Sequence, residues 1–300
     1  MSKIKAYITA FRLRTLPLAL SSILMGNFIA AYRGFYSWKV GVLAAVTTIL
    51  LQILSNVAND YGDAVSGADN EERVGPERMV SSGRISAGEM KWTVIVFVVL
   101  SLLSGILLIS VGNFKVLSLK AWGLFVLGIG AIAAAIKYTV GKNPYGYRGL
   151  GDFFVFIFFG IAGVLGTYFL HAGEIDGWLL LPASSVGFLS VGVLNLNNLR
   201  DNENDAKTGK ITLIVKKGMV WGKRYHIILL VLAMIFMLVY VGFSQVSLNQ
   251  WWFVLAFPLF AKNIFVVIRN KQAQDLDPQL KKLALATFVM VLLSGVALLF

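Results

Sequence analysis

Apolar stretches long enough to cross a lipid bilayer recur along the whole chain, and they limit the folds open to it. A spanning helix needs about 20 mostly apolar residues, and lipid offers no partner to an unpaired backbone N–H or C=O, so these stretches must be helical. The composition agrees, because 57% of the residues are hydrophobic and only 14% are charged. We therefore predict an all-α polytopic membrane protein, a single domain over residues 1–300. Its nine transmembrane helices, packed in a bundle, are expected near residues 15–32, 39–57, 92–111, 121–138, 153–170, 178–197, 226–244, 251–268 and 283–300.

The positively charged residues are concentrated in alternate loops. Of the 27 Lys and Arg residues, only Arg33, Lys39, Lys115 and Lys120 lie on the side opposite the N-terminus. Because cytoplasmic loops carry the excess of positive charge, the N-terminus is predicted to be cytoplasmic and the C-terminus external. The net charge of +12 reflects this bias and attraction to anionic lipid, and it gives no reason to expect a nucleic-acid partner.

Two acidic segments follow directly on apolar runs and carry the main functional signal. Each has Asn and Asp side chains at spacings of three, four or seven residues, which places them on one helical face. The first set is Asn56, Asn59, Asp60 and Asp63, and the second is Asn198, Asp201 and Asp205. Carboxylates crowded in this way repel one another and are costly near lipid. A shared divalent cation would relieve both problems, and Mg²⁺ prefers carboxylate oxygens together with water and substrate phosphate.

Other polar residues are expected to have ordinary roles. The acids that follow the first segment are as well explained as solvated loop residues; they are Asp69, Glu71, Glu72 and Glu77. His171 and His226 are far apart in the sequence and flank helices, so we expect interfacial residues rather than metal ligands. A transporter would more often have charged groups near the membrane midplane, where the predicted spans of this chain have almost none.

Several motifs together resemble one known family. Asn59-Asp60-Tyr61-Gly62-Asp63 matches the Asn-Asp-x-x-Asp signature of the UbiA superfamily of intramembrane prenyltransferases, and Asp201 with Asp205 matches its Asp-x-x-x-Asp signature. Three further stretches are similar to the branch that acts on 1,4-dihydroxy-2-naphthoate in menaquinone biosynthesis. They are Arg12–Pro17, Gly75–Gly83 and Tyr145–Asp152. The sequence departs from the family pattern at Gly67, where many members have a third acid, and the nearest substitute is Asp69.

The resemblance implies a magnesium-dependent transfer of a polyprenyl group from polyprenyl diphosphate to 1,4-dihydroxy-2-naphthoate. The acceptor carboxylate would leave as CO₂, giving demethylmenaquinol or its quinone. The resemblance also implies a location in the cytoplasmic (inner) membrane of a bacterium, with the active site toward the cytoplasm. The residues implied to hold Mg²⁺ and to be catalytic are Asp60, Asp63, Asp201 and Asp205, with Asn56, Asn59 and Asn198 beside them at the metal. The implied substrate-binding residues are Arg14, Arg78, Lys142, Tyr147, Arg148 and Lys210. The alternatives are a prenyltransferase for another aromatic acceptor, such as 4-hydroxybenzoate, and a membrane transporter.

Overall fold

The chain folds as a bundle of long helices. The computed structural model describes residues 2–69, 75–243 and 248–299. The α-helices are α1 (Lys3–Phe11), α2 (Leu16–Tyr32), α3 (Trp38–Ser66), α4 (Ala87–Ser110), α5 (Leu119–Lys137), α6 (Gly151–Val155), α7 (Gly163–Ala172), α8 (Leu180–Lys207), α9 (Leu213–Lys217), α10 (Met219–Phe243), α11 (Phe257–Arg269) and α12 (Asp277–Leu299). Short 3₁₀ segments cover Leu13–Thr15, Tyr145–Arg148, Gly177–Leu179, Leu248–Ala256 and Ala273–Leu276, and a π-helical segment covers Phe156–Ala162. These ranges contain no strand, so the all-α prediction is confirmed.

The predicted number of membrane spans is confirmed. Within the described ranges, nine helical stretches are long and apolar enough to cross a bilayer. They are Lys3–Tyr32, Trp38–Ser66, Ala87–Ser110, Leu119–Lys137, Gly151–Ala172, Gly177–Lys207, Met219–Phe243, Gln250–Arg269 and Ala273–Leu299.

The predicted ends of two spans, residues 57 and 197, are too early. Both α3 and α8 continue as helices through their acidic segments. Helical geometry tolerates these polar side chains because they share one face, and α3 stops only at Gly67, which has the positive φ of 75° that glycine accepts readily. The acidic residues therefore lie in the last turns of two long helices and not in loops.

Helix α8 lies at the centre of the bundle. Its apolar part is 72% buried, whereas that of α5, at the periphery, is 6% buried. The main apolar core is formed where α8 packs with α2, α7, α10 and α12, and it includes Met25, Leu189 and Met290. A second apolar cluster joins α1, α3 and α4. The second acidic segment is thus carried by the helix that the rest of the protein surrounds most completely.

A close backbone contact fixes the middle of α8. The span from Gly151 to Ala172 contains the π-helical segment, and a Cβ atom added to Gly160 there would lie 2.7 Å from the Gly187 Cα of α8. Backbone atoms cannot move aside as a flexible side chain can, so position 160 needs glycine. A Cβ atom added to Gly187 would lie 2.8 Å from the Phe156 ring and 3.2 Å from the Gly160 Cα. Wide π turns of this kind are rare and often occur near functional sites.

The two histidines are buried in the bundle, and each has a hydrogen-bond partner on a neighbouring helix. His171 is 2% exposed and hydrogen-bonds through Nε2 to Asn27 Oδ1 at 2.7 Å. His226 is fully buried and hydrogen-bonds through Nε2 to Asn263 Oδ1 at 2.8 Å. A buried polar ring is tolerated when it has such a partner, and both histidines have one in an asparagine of a neighbouring helix.

Candidate active site

The first acidic face holds down the loop that follows α3. Asp60 accepts hydrogen bonds from the backbone N–H groups of Met79 at 3.0 Å and Val80 at 3.1 Å. Asp63 accepts a hydrogen bond from Arg78 Nη2 at 2.7 Å. Hydrogen bonds to an ionised carboxylate are stronger than neutral ones. The carboxylates of α3 therefore order the segment that covers them.

Arg78 lies buried between two carboxylates. Its Nη2 is 2.7 Å from Asp63 Oδ2 and its Nε is 3.2 Å from Asp69 Oδ2, and the exposed fraction of the three side chains is between 3% and 7%. Its Nη1 is also buried and donates no hydrogen bond to any residue that the structure describes. Asp69 is therefore part of this buried cluster and is not a solvated loop acid. Among the described residues, Nη1 has no acceptor, so the guanidinium keeps donor capacity for a further anion.

The remaining loop acids divide as follows. Glu77 is exposed, and its side chain pairs with Arg84 at 3.0 Å on the surface, as the solvated interpretation predicts. Glu71 and Glu72 lie outside the described residues.

The second acidic face has a different set of partners. Both oxygens of Asp201 accept hydrogen bonds from the neighbouring Arg200, through Nε and Nη2 at 2.7 Å each. Asp205 Oδ1 is 3.8 Å from Lys210 Nζ. The side-chain oxygens of Asn198 and Asn202, on the same face, are buried and accept no hydrogen bond from the described part of the chain. The face thus has two amide oxygens with unused acceptor capacity.

The two faces meet at one end of the bundle, which we call the motif end. Asn204 of α8 donates to the backbone carbonyl of Ala68, just beyond α3, at 3.2 Å. Tyr147, from the loop before α6, donates its hydroxyl to Asp63 Oδ1 at 2.8 Å, and its ring lies 5.6 Å from Lys210 Nζ. Segments far apart in the sequence therefore converge around the four aspartates Asp60, Asp63, Asp201 and Asp205, which we call the motif aspartates.

The electrostatics of this end favour positive charge. Burial alone would lower the pKa of Lys210, but the charges of Asp63 and Asp205 raise it above its ordinary value, so the ammonium stays protonated. Burial and the nearby Asp63 carboxylate also raise the pKa of Tyr147, which keeps its hydroxyl a donor. The motif aspartates lie in the last turns of α3 and α8, where the helix dipoles add further negative potential.

Two asparagines of α3 have structural partners. Asn56 donates through Nδ2 to the Phe11 carbonyl at 2.9 Å and to Thr15 Oγ1 at 3.0 Å, so it ties α3 to the joint between α1 and α2. The Asn59 side-chain oxygen accepts from Thr139 Oγ1 at 3.2 Å. These contacts favour a positioning role for both amides, whereas Asn198 keeps an oxygen available.

The predicted basic residues are not equivalent in the structure. Arg78 and Lys210 are buried beside the motif aspartates. Arg14 lies at the edge of the motif end, with Nη1 3.8 Å from Asp277 Oδ2. Lys142 and Arg148 are exposed on the loop that carries Tyr147. Arg78 and Lys210 could therefore contact an anion buried beside the motif aspartates. Lys142 and Arg148 could contact a ligand only at the surface of the motif end.

The donor set suits Mg²⁺, although the side chains are not arranged around an ion. Among the described residues, no three Asp, Glu, His or Cys side chains converge closely enough to hold a metal. Arg78, Arg200 and Lys210 lie beside the carboxylates instead. A carboxylate has about four acceptor positions, so these contacts leave capacity for a cation. The unused amide oxygens of Asn198 and Asn202 are also ligands of the kind that a hard cation prefers.

Sequence reasoning assigned no role to two residues at this end. Arg200 is 2% exposed and contacts Asp201, Asn197 and Asp277. Asp277 is the first residue of α12, 77 positions away in the sequence. The Asn-Asn-Leu-Arg-Asp stretch places Arg200 next to an acidic residue, but no local pattern indicates its distant partner.

Comparison with known proteins identifies relatives along nearly the whole chain. The UbiA prenyltransferase family matches residues 19–296. The 1,4-dihydroxy-2-naphthoate octaprenyltransferase of Haemophilus influenzae is 46% identical, over 99% of this chain and 96% of that protein. The protein of the same name from Escherichia coli is 43% identical, over 94% of this chain and 91% of that protein.

Solved structures show the same fold at low sequence identity. A UbiA homologue from Aeropyrum pernix has a TM-score of 0.63 at 16% identity, covering 99% of this chain and 98% of that one. A UbiA homologue from Archaeoglobus fulgidus, solved with GPP and Mg²⁺, has a TM-score of 0.58 at 15% identity, covering 95% of this chain and 99% of that one. With nine candidate spans among its described residues and the match over residues 19–296, this multi-pass membrane protein belongs to the UbiA prenyltransferase family.

Proposed function

We propose that this protein transfers a polyprenyl group from a polyprenyl diphosphate to 1,4-dihydroxy-2-naphthoate, with Mg²⁺ as cofactor and with release of diphosphate and CO₂. Relatives that match almost the whole chain are named for this acceptor. The observation that carries the proposal is that buried hydrogen-bond donors and buried hydrogen-bond acceptors at the motif end both have unused capacity. Among the residues that the structure describes, Arg78 Nη1 is a buried donor without an acceptor, and the Asn198 and Asn202 oxygens are buried acceptors without a donor. A magnesium diphosphate supplies an anion to the first and a cation to the second.

The residues of the motif end divide the work of binding. The motif aspartates, together with Asn198, would hold Mg²⁺, which when bound supplies positive charge that stabilises the leaving diphosphate. Arg78 and Lys210, both buried and positively charged, would contact phosphate oxygens. Tyr147 keeps Asp63 and Lys210 in place through its hydroxyl and its ring. These fixed charges stabilise the charge that develops as the allylic C–O bond breaks.

The second half of the reaction concerns the aromatic acceptor. The C–O bond of the donor breaks with its electron pair going to diphosphate, and a ring carbon of the acceptor forms a bond to the allylic carbon. The bond from the ring to the carboxylate carbon breaks with its electron pair staying in the ring, so CO₂ leaves. If the new bond forms at the carbon that loses CO₂, the electron pair restores the aromatic ring directly; if it forms at the neighbouring carbon, the proton lost there is balanced by one added where CO₂ left. Arg148 and Arg14, at the edge of the motif end, are the candidates to hold the acceptor carboxylate, since a guanidinium binds it with two donors. The apolar helices would accommodate the polyprenyl chain.

The membrane location follows from the same arrangement. The loops at the motif end carry most of the Lys and Arg residues, so this end would lie at the cytoplasmic surface of the bacterial inner membrane. A site at that surface can receive a water-soluble aromatic acid while the polyprenyl donor stays in the lipid.

A carboxyl-labelled acceptor tests the proposed reaction. Purified protein in lipid nanodiscs is incubated with Mg²⁺, farnesyl diphosphate and 1,4-dihydroxy-2-naphthoate carrying ¹³C in its carboxyl group, and products are analysed by mass. We expect one labelled CO₂ per prenyl group transferred, no product in EDTA, and a turnover lower by about 10²–10³ with the Asp201→Ala variant. Label that stays in the prenylated product, or prenylation of 4-hydroxybenzoate alone, would refute the naphthoate assignment.

A further inference from the structure

We propose that Asp277 is a positioning residue of this site, which holds Arg200 so that Asp201 remains able to bind a divalent cation. The proposal rests on the proposed function, because it gives Asp201 a metal-binding role. Asp277 lies in none of the acidic segments and starts the last helix of the bundle.

Arg200 is held on all sides of its guanidinium group. Its Nε and Nη2 donate to Asp201, its Nη2 also donates to Asn197 Oδ1 at 2.9 Å, and its Nη1 donates to Asp277 Oδ1. The side chain is 1% exposed, whereas that of Asp277 is 34% exposed. A planar guanidinium with fixed partners at both edges cannot turn freely. The orientation of the Asp201 carboxylate is therefore set by a residue on another helix.

The charges along this contact alternate in sign. Arg200 contacts Asp201 on one side and Asp277 on the other. Asp277 in turn contacts Arg14 nearer the surface. With Asp277 present, the positive charge of Arg200 is shared between two carboxylates. Without it, that charge acts on Asp201 alone and opposes any cation that Asp201 would bind. Asp277 thus makes a strongly paired aspartate usable as a metal ligand.

A purely structural role for Asp277 predicts a different outcome. An acidic residue in the first turn of a helix is stabilised by the helix dipole, and its loss would lower stability without changing metal affinity. The exposed Asp275, two residues earlier in the 3₁₀ segment before α12, provides a matched control. Replacing it removes the same charge from the neighbouring turn but leaves the Arg200 contact intact.

The experiment compares Asp277→Asn with Asp275→Asn in the full-length protein in nanodiscs. Mn²⁺ binding is followed by electron paramagnetic resonance in the presence of geranyl diphosphate, and the Mg²⁺ concentration for half-maximal prenyl transfer is measured alongside. For Asp277→Asn we expect about tenfold weaker Mn²⁺ binding and a similar rise in the Mg²⁺ requirement. Asp275→Asn should match the wild type in both, and Asp277→Glu should recover most of the affinity. The thermal unfolding midpoints of all variants serve as the folding control.

Several outcomes would overturn the inference. Unchanged Mn²⁺ affinity in Asp277→Asn, with or without a lower unfolding temperature, would leave Asp277 only a structural role. Equal losses in Asp277→Asn and Asp275→Asn would mean that general surface charge, and not the contact with Arg200, sets the affinity. If the wild-type protein itself bound no Mn²⁺ with geranyl diphosphate, the metal-dependent function would fail instead, which distinguishes the two proposals.

Discussion

Replacing Arg78 with Met should make the protein depend on Mg²⁺ for its stability. In the wild type, Arg78 lies 2.7 Å from Asp63 and 3.2 Å from Asp69, and all three side chains are buried. Removing the guanidinium leaves two buried carboxylates without their shared cation. Breaking a buried ion pair costs about 3–5 kcal/mol. We expect the lower end, about 3 kcal/mol, because the Tyr147 hydroxyl still donates to Asp63.

The assay is thermal unfolding in detergent, followed by tryptophan fluorescence, with EDTA or with Mg²⁺. A loss of about 3 kcal/mol corresponds to a fall of about 5 °C in the midpoint for a chain of this size. Under the proposed function Mg²⁺ would bind Asp63 and stabilise the folded state by mass action, so it should restore much of the loss in Arg78→Met and raise the wild-type midpoint less. Arg84→Met is the control, since Arg84 is an exposed residue of the same loop. If Arg78→Met unfolded at the wild-type temperature in EDTA, or gained no more from Mg²⁺ than the wild type does, the buried-pair reasoning would be refuted.

Three further predictions concern the reaction and the topology. Alanine at any one of the motif aspartates should lower turnover by about 10²–10³ while the protein stays folded. Alanine at the exposed Glu203 of α8 is the control and should not lower it. Near-normal turnover in all four aspartate variants would exclude the two-motif site. Arg148→Lys should lose most of the activity and keep its Mg²⁺ dependence, because lysine cannot give two parallel donors to the acceptor carboxylate. Arg224→Lys, at another exposed arginine, is the control. Wild-type turnover in Arg148→Lys would exclude the contact between Arg148 and the acceptor carboxylate. The chain has no cysteine, so single cysteines report topology cleanly. Ser82→Cys should react with a membrane-impermeant thiol reagent only from the cytoplasmic side and Leu117→Cys only from the outside, and the reverse pattern would contradict the predicted orientation.

The sequence predicted the helices and the two acidic faces well, because both depend on local spacing. Nine apolar runs specify nine spans, and the spacing within Asn56–Asp63 specifies a single face whatever the rest of the chain does. The helix ends were harder to predict, since hydropathy falls at the first polar residues while α3 and α8 continue through them.

The partners of the acidic residues could not be predicted in the same way. The contact of Arg78 with Asp63 crosses 15 residues, and that of Arg200 with Asp277 crosses 77, so neither leaves a periodic signal. The partners of the two histidines could not be predicted for the same reason. A histidine near a helix end has the pattern of an interfacial residue, and only the folded bundle brings Asn27 against His171.

The glycine contact between α8 and the π-helical segment makes the position of the acidic end sensitive to the tilt of α8. Gly187 is the point at which its backbone is pressed against Gly160, and Asp201 lies 14 residues further along the helix, which is about 21 Å of axial rise. A tilt of about 5° around that point would move the acidic end by about 2 Å, a distance comparable to a metal–oxygen bond. Because α8 is packed on most of its surface, its neighbours must hold that tilt close to a single value if the two acidic faces are to keep their separation.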